Sequence, residues 1–222
     1  RLTELKLQGP LCISPMGVPS DFYIDPKLKK EVSHSSFGYV GKAISSGSDN
    51  RLDVLVDEFR MAQSEDCKLK LTLVGLEKNA IESLMKSEGL SQRNSQDIEI
   101  IGNVPHSEVI KHLRNFYCGI LPYMDSQYNS MRFPIKLLEY AASGTHIIAS
   151  DIPAHRALLT DSLATFYKPD LKGSLADAIS YVRHNKEDVS QKIQNAYEWA
   201  GGFTYENRVR QALNCISDLE MG

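Results

Sequence analysis

Arg132 and Lys136 stand on either side of Pro134, and Glu139 follows Lys136 by three residues. Pro134 suits the first turn of a helix, where a missing N–H costs nothing. From there Ile135, Leu138, Ala141 and Ala142 fall on one face, with Lys136, Glu139 and Ser143 around the other side. Gly144 is placed for the left-handed C′ position that ends a helix. A helix opening from a loop presents N–H groups without partners, and the flanking cations add to their field. Such an end attracts an anion, each charge being worth roughly 0.3–1 kcal/mol when exposed. Glu139, taken alone, is an exposed helix carboxylate paired with Lys136 one turn earlier. A second pattern, Gly38-x-x-Gly41-Lys42, follows a strand-like run and by itself makes a tight strand-to-loop turn.

Other chemistries lack their residues. No GxGxxG fingerprint, Walker-A loop, HExxH helix or GxSxG elbow occurs. Asp97-Ile98-Glu99 is the nearest approach to paired carboxylates, but it opens a predicted strand and makes no metal site. Metal-independent chemistry is therefore expected. His106, His112, His146, His155 and His184 have no ligand spacing and read as surface or core residues. Cys12, Cys67, Cys118 and Cys215 lie far apart without a CxxC, as thiols of a reducing compartment do.

The elements that must position these groups alternate regularly. Strands are predicted at 37–41, 69–75, 98–102, 118–121, 147–149 and 164–167. Helices are predicted at 50–64, through Ile81, Leu84 and Met85, at 106–116, 175–184 and 189–200. Tyr123 to Ser130 reads as a long polar loop, either a lid over the ligand site or just a connection. Gly201-Gly202 is a break, and Thr204 is an N-cap candidate for a last helix. Lys27 to Glu31 reads as a solvated charge run. Short strands alternating with helices give an α/β fold, a doubly wound parallel sheet of about six strands with C-terminal helices. Its ligands belong at the carboxyl ends of the strands.

The run Phe133-Pro-Ile-Lys-Leu-Leu-Glu139-Tyr-Ala-Ala-Ser-Gly-Thr-His-Ile-Ile-Ala-Ser-Asp-Ile-Pro-Ala154 resembles the donor-site segment of retaining GT-B glycosyltransferases of family four. Members that assemble polysaccharides, with a Pro-x-Lys-x-x-Glu-Tyr variant, are most similar. Ser14-Pro-Met-Gly-Val18 and Phe22 resemble the segment entering the second GT-B domain, and Phe203-Thr-Tyr-Glu206 resembles the opening of the last helix, which crosses back onto the first. The resemblance implies that Glu139 holds the ribose hydroxyls of a nucleotide-sugar. It also implies that Gly41 and Lys42, with Phe133, Pro134, Ile135 and Lys136, face the diphosphate, while Arg132 departs from the family's usual small residue and would bring a guanidinium close to it. Arg51 stands where a further cation is expected, and Asn103 and Val104 lie beside the base. The position eight before Glu139, where the family carries a second glutamate for the hexose, is Met131.

The expectation is one half of a GT-B fold: a linker over 1–36, a Rossmann-like nucleotide-sugar domain over 37–202 and a crossover helix over 203–222. Lys42 and Glu139 are its expected catalytic residues. The function implied is transfer of a hexose from a nucleotide-diphosphate sugar to a saccharide or lipid-linked acceptor, with no metal and no other cofactor. Alternatives are a degenerate binding domain, in which Met131 marks a lost sugar site, and an epimerase of the same fold. The chain has 222 residues with 42% hydrophobic and 24% charged, enough for one good-sized domain. Net charge −3 and a pI near 6.1 give no global case for nucleic acid or anionic membrane. No apolar run approaches the roughly 20 residues that span a bilayer, and no signal peptide opens the chain. A cytoplasmic bacterial protein is expected, with membrane association only through a missing N-terminal domain. Arg1 without a methionine suggests a fragment.

Overall fold

The computed structural model describes residues 16–27, 29, 32–42, 50–63, 68–80, 82, 97–131 and 133–220. Its six strands are β1 (Ser36–Val40), β2 (Lys70–Leu76), β3 (Ile98–Gly102), β4 (Cys118–Leu121), β5 (His146–Ser150) and β6 (Thr165–Tyr167). All pair in parallel, in the order β3-β2-β1-β4-β5-β6. This is the expected Rossmann-like doubly wound sheet, whose order reverses between β1 and β4. The helices are α1 (Leu52–Met61), α2 (His106–Leu113), α3 (Gln127–Met131), α4 (Ile135–Ala142), α5 (Pro153–Arg156), α6 (Ser174–His184), α7 (Lys186–Ala200) and α8 (Tyr205–Glu220).

Strand periodicity divides the core into two layers. Phe37, Tyr39, Leu71, Leu73, Cys118, Ile120 and Ile148 pack with Leu55, Val56 and Phe59 of α1 and with Leu175, Ile179 and Val182 of α6. Their neighbours Val40, Val74, Leu121, Ile147 and Ala149 face the opposite side, against α2, α4 and the end of α7. Within the first layer, Glu58 of α1 accepts N–H bonds from Gly173, Leu175 and Ala176 at 3.0, 2.7 and 3.2 Å, and so caps the start of α6.

At the order reversal the strands part. β1 pairs with β4 only through Phe37 and Gly38, opposite Cys118 and Gly119. Both glycines lie under aromatic rings: a Cβ on Gly38 would stand 2.1 Å from Phe116, and one on Gly119 2.6 Å from Tyr140. Beyond that point the Val40 N–H donates instead to the Tyr140 hydroxyl at 2.9 Å. The parting leaves a crevice, and a side chain from α4 closes its floor.

Helix α4 ends as its sequence requires. Gly144 has φ +62°, its N–H donates to Ala141 O at 3.1 Å, and the Thr145 N–H donates to Tyr140 O at 3.0 Å. That pair of bonds is a Schellman ending. Thr204 also caps as expected, its hydroxyl accepting from the Asn207 N–H at 3.0 Å. Two expectations fail. The polar side of α4 is not solvated, since Glu139 and Ser143 are buried along with Leu137 and Tyr140. Nor is the 27–31 run simply a wet surface. Lys29 Nζ donates to Phe116 O, Gly144 O and Thr145 Oγ1 at 2.8, 3.2 and 2.9 Å, and burial pushes its pKa down to about 7.

The described residues of the linker at 16–27 lie against the domain. The Val18 N–H donates to Phe203 O and the Ile24 N–H to Ala142 O, each at 2.9 Å. Helix α8 carries an exposed apolar stripe of Tyr205, Val209, Leu213 and Ile216. Among the described residues no helix is long and apolar enough to cross a membrane. The expected strand at Leu11-Cys12-Ile13, the polar loop at 45–49 and most of the helix through Ile81, Leu84 and Met85 lie outside the described residues.

Tyr140→Phe removes the hydroxyl that accepts from the Val40 N–H. It should cost about 1–3 kcal/mol in urea unfolding, and a change under 0.5 kcal/mol would mean that water replaces the hydroxyl. Buried His146 and His155 have pKa values lowered by desolvation from 6.5 to about 3 and about 4. Between those values and 6.5 the unfolded chain binds their protons and the folded one does not, so stability falls as pH falls. The domain should be about 2–3 kcal/mol less stable at pH 5.5 than at pH 7.5. Equal unfolding midpoints at the two values would contradict this.

Candidate functional site

The crevice opens into a cleft of about 500 Å³ at the carboxyl ends of the strands. Gly41 and Lys42 extend from β1, Gly75 from β2, and Asn103, Val104 and His106 from the turn after β3. Phe133, Pro134, Ile135 and Lys136 supply the wall at the start of α4. Tyr123, Asn129, Ala154 and His155 supply the far end. Backbone pinches the floor: the Gly41 N–H donates to Val74 O at 3.0 Å, and Gly75 turns at φ +92° with Gly41 O facing the place of a Cβ. Only glycine takes that turn without strain.

Glu139 is the electrostatic centre. Its carboxylate is 1% exposed, with Oε2 2.8 Å from Lys136 Nζ and Oε1 3.0 Å from His106 Nε2. The His106 ring stacks on Phe22 of the linker, centroids 5.0 Å apart and planes within 19°. Lys136 and His106 both line the cleft, while Glu139 stands behind them. The Lys136 pair is thus present, but on a buried carboxylate instead of an exposed one. The expected row of open N–H groups at the start of α4 is partly closed. Ile135 donates to Phe133 O and Leu137 to Pro134 O, each at 2.9 Å.

Of the residues singled out from sequence, Gly41, Lys42, Asn103, Val104, Phe133, Pro134, Ile135 and Lys136 come together on the cleft wall. Lys42 is exposed there and makes no ion pair with a described residue. Arg51 is not on the wall. Its guanidinium lies on Asp53 with a shortest contact of 2.7 Å, an interaction that raises the Arg51 pKa and lowers that of Asp53. Arg132 lies outside the described residues. Glu99 of the acidic pair is occupied by Lys70 at 3.0 Å.

Among the cleft residues that the sequence reading did not place there are Asn50, His106 and His155, while Tyr123 and Asn129 come from the segment weighed as a lid or a connection. The two histidines arrive from different βα turns, so no spacing could join them. Asn129 had a usable signal. The Ser126 hydroxyl accepts from its N–H at 3.1 Å, an N-cap opening helix α3 inside the segment expected to be a polar loop.

Solved structures share the architecture. A glycosyltransferase from Rickettsia africae matches at TM-score 0.69 and 16% identity, covering 93% of this chain and 56% of that one. A sucrose-phosphate synthase from Thermosynechococcus elongatus matches at 0.69 and 18%, covering 94% and 52%. HepE of Anabaena, solved with UDP-glucose, matches at 0.66 and 15%, covering 93% and 56%. At such identities the likeness is one of fold, and the chain corresponds to one domain of GT-B glycosyltransferases. It spans between 52% and 56% of these neighbours' lengths. No curated sequence matches it. Residues 34–185 match glycosyl transferases group 1; this stretch holds the whole sheet, the cleft and the helix of Glu139, and the chain belongs to that family.

Proposed function

We propose that this domain binds the nucleotide-sugar donor of a retaining glycosyltransferase and stabilises its departing diphosphate. The observation that carries the reading is the cleft at the order reversal, where Lys42 and Lys136 face one space beside Asn103 and Val104. Its volume of about 500 Å³ falls within the roughly 300–1,000 Å³ usual for small-ligand sites. In this reading backbone groups of Asn103 and Val104 hold the base, and Glu139 accepts from the ribose hydroxyls at the edge of its Lys136 and His106 contacts. Lys42, Lys136 and the Gly41 backbone hold the two phosphates. Charge building on the diphosphate as the glycosyl bond breaks meets fixed cations, so no metal is required.

HepE of Anabaena was solved with UDP, with UDP and glucose, and with UDP-glucose, which supports a nucleotide-sugar as ligand. The saccharide or lipid-linked acceptor and the remaining reacting groups belong to a preceding domain, for which the exposed stripe of α8 offers a docking face. A role in cytoplasmic assembly of bacterial polysaccharide or glycolipid fits the sequence variant around Lys136 and Glu139. Met131 favours a second reading, a domain that binds nucleotide and transfers nothing. Transfer assays on the full-length protein separate the two.

Lys42→Ala is the clean test of the diphosphate assignment. Calorimetry in EDTA with UDP, GDP and ADP against their nucleosides should show diphosphate binding weakened by about 1.5–3 kcal/mol and nucleoside binding unchanged. Equal losses would place Lys42 elsewhere, and binding abolished by EDTA alone would contradict the metal-free reading. Lys136→Ala is a poorer probe, since it also strands the buried Glu139 charge at a cost of about 3–5 kcal/mol of stability.

A further inference from the structure

We propose that His155 is a sugar-contacting residue of this cleft, its Nε2 accepting a hydrogen bond from a hydroxyl of the glycosyl group carried by the nucleotide. The proposal rests on the donor-binding reading above. His155 lines the cleft and is 0% exposed. Its Nδ1 lies 2.9 Å from Ser150 O. A carbonyl has no proton to give, so Nδ1 is the donor and Nε2 of the neutral ring keeps a lone pair. Burial keeps the ring neutral, with a pKa near 4. That lone pair has no hydrogen-bond partner among the described residues, and buried polar atoms are seldom left so.

The surroundings indicate which donor supplies it. Tyr123 stands beside the ring, centroids 5.2 Å apart. The Tyr123 backbone bridges to Asn50, and Asn129 lies on the same wall. All these groups are uncharged. The charged cluster of Lys136, Glu139 and His106 occupies the α4 and α2 side. Tyr39 joins the two ends, its hydroxyl accepting from Asn50 Nδ2 at 3.1 Å and lying over Gly41. A diphosphate on the Gly41-Lys42 turn therefore directs the glycosyl group toward the neutral end. A lone pair there takes a hydroxyl proton, and it repels a carboxylate or phosphate oxygen that has none. The substrate class is a neutral sugar with free hydroxyls. Nε2 is sealed from solvent, so the Tyr123 ring turns aside as the sugar enters, a side-chain adjustment common on binding.

The test compares wild type, His155→Asn and His155→Gln, each as the full chain, by calorimetry with UDP and UDP-glucose, GDP and GDP-mannose, and ADP and ADP-glucose. Asn retains a donor for Ser150 O and deletes the acceptor, while Gln returns an acceptor near the Nε2 position. For the pair that wild type binds, His155→Asn should lower the ratio of sugar-nucleotide to diphosphate affinity about tenfold. Diphosphate affinity should stay within about twofold, and Gln should restore much of the ratio. An unchanged ratio, or equal losses for both ligands, overturns the proposal and leaves His155 a structural residue. Wild type binding no nucleoside diphosphate overturns the donor reading itself. Should both variants unfold, the nitrogen-15 resonance of His155 Nε2 in wild type decides. It must move on adding the sugar nucleotide and stay put with the diphosphate, and any other result overturns the proposal.

Discussion

A carboxylate withdrawn from water must be answered by hydrogen-bond donors or cations, and Glu139 is withdrawn almost completely. Its two partners come from opposite sides of the cleft: Lys136 from the first turn of its own helix and His106 from the start of α2. Satisfying one buried charge therefore ties together two crossovers that also pack in one core layer. The constraint reaches further through Phe22, whose ring stacks on His106 and so draws the linker into the same arrangement. Lys136 is left with its ammonium on the cleft wall, 18% exposed and unable to swing away without uncovering the carboxylate. A cation fixed in this manner needs little reorganisation when an anion arrives.

The cleft that receives this cation exists because β1 and β4 separate after two paired residues. Gly38 and Gly119 permit the separation, each giving its side-chain space to an aromatic ring from a neighbouring segment. The Tyr140 hydroxyl then satisfies the N–H of Val40 that the separation exposes. Tyr140 and Glu139 are consecutive, so one helix both holds the crevice open and places the charge at its edge. Gly144 ends that helix, and Lys29 of the linker ties its C-terminal turn to Phe116, two residues before β4. Position, charge and opening are thus consequences of a single eight-residue helix.

What the sequence disclosed was local. The Gly144 ending, the Thr204 cap and the 98–102 and 118–121 strands are settled by neighbours a few residues away, and each was readable. That the sheet is parallel and doubly wound followed from the alternation of strands and helices. Much of what stayed hidden depends on partners more than thirty residues distant. Lys29 resembled a wet lysine because its acceptors are 87 to 116 residues away. Glu139 resembled an exposed helix residue because Lys136 alone is near in sequence, whereas His106 is 33 residues off. Arg51 was expected beside a phosphate, but Asp53 two residues on holds its guanidinium. His155 carried no signal at all, since a buried histidine is defined by what surrounds it.

The central claim is that the buried carboxylate of Glu139 faces a ribose. Glu139→Gln keeps the shape and one acceptor while removing the charge and the second acceptor. Its affinity for a ribonucleoside diphosphate and for the 2′-deoxy form of the same nucleotide, measured against wild type, tests the claim most directly. The account predicts that the ribonucleotide is bound about tenfold or more weakly and that most of the preference over the deoxy form disappears. Equal losses for the two forms, or none, would contradict it and leave Glu139 as the anchor of Lys136 and His106 alone.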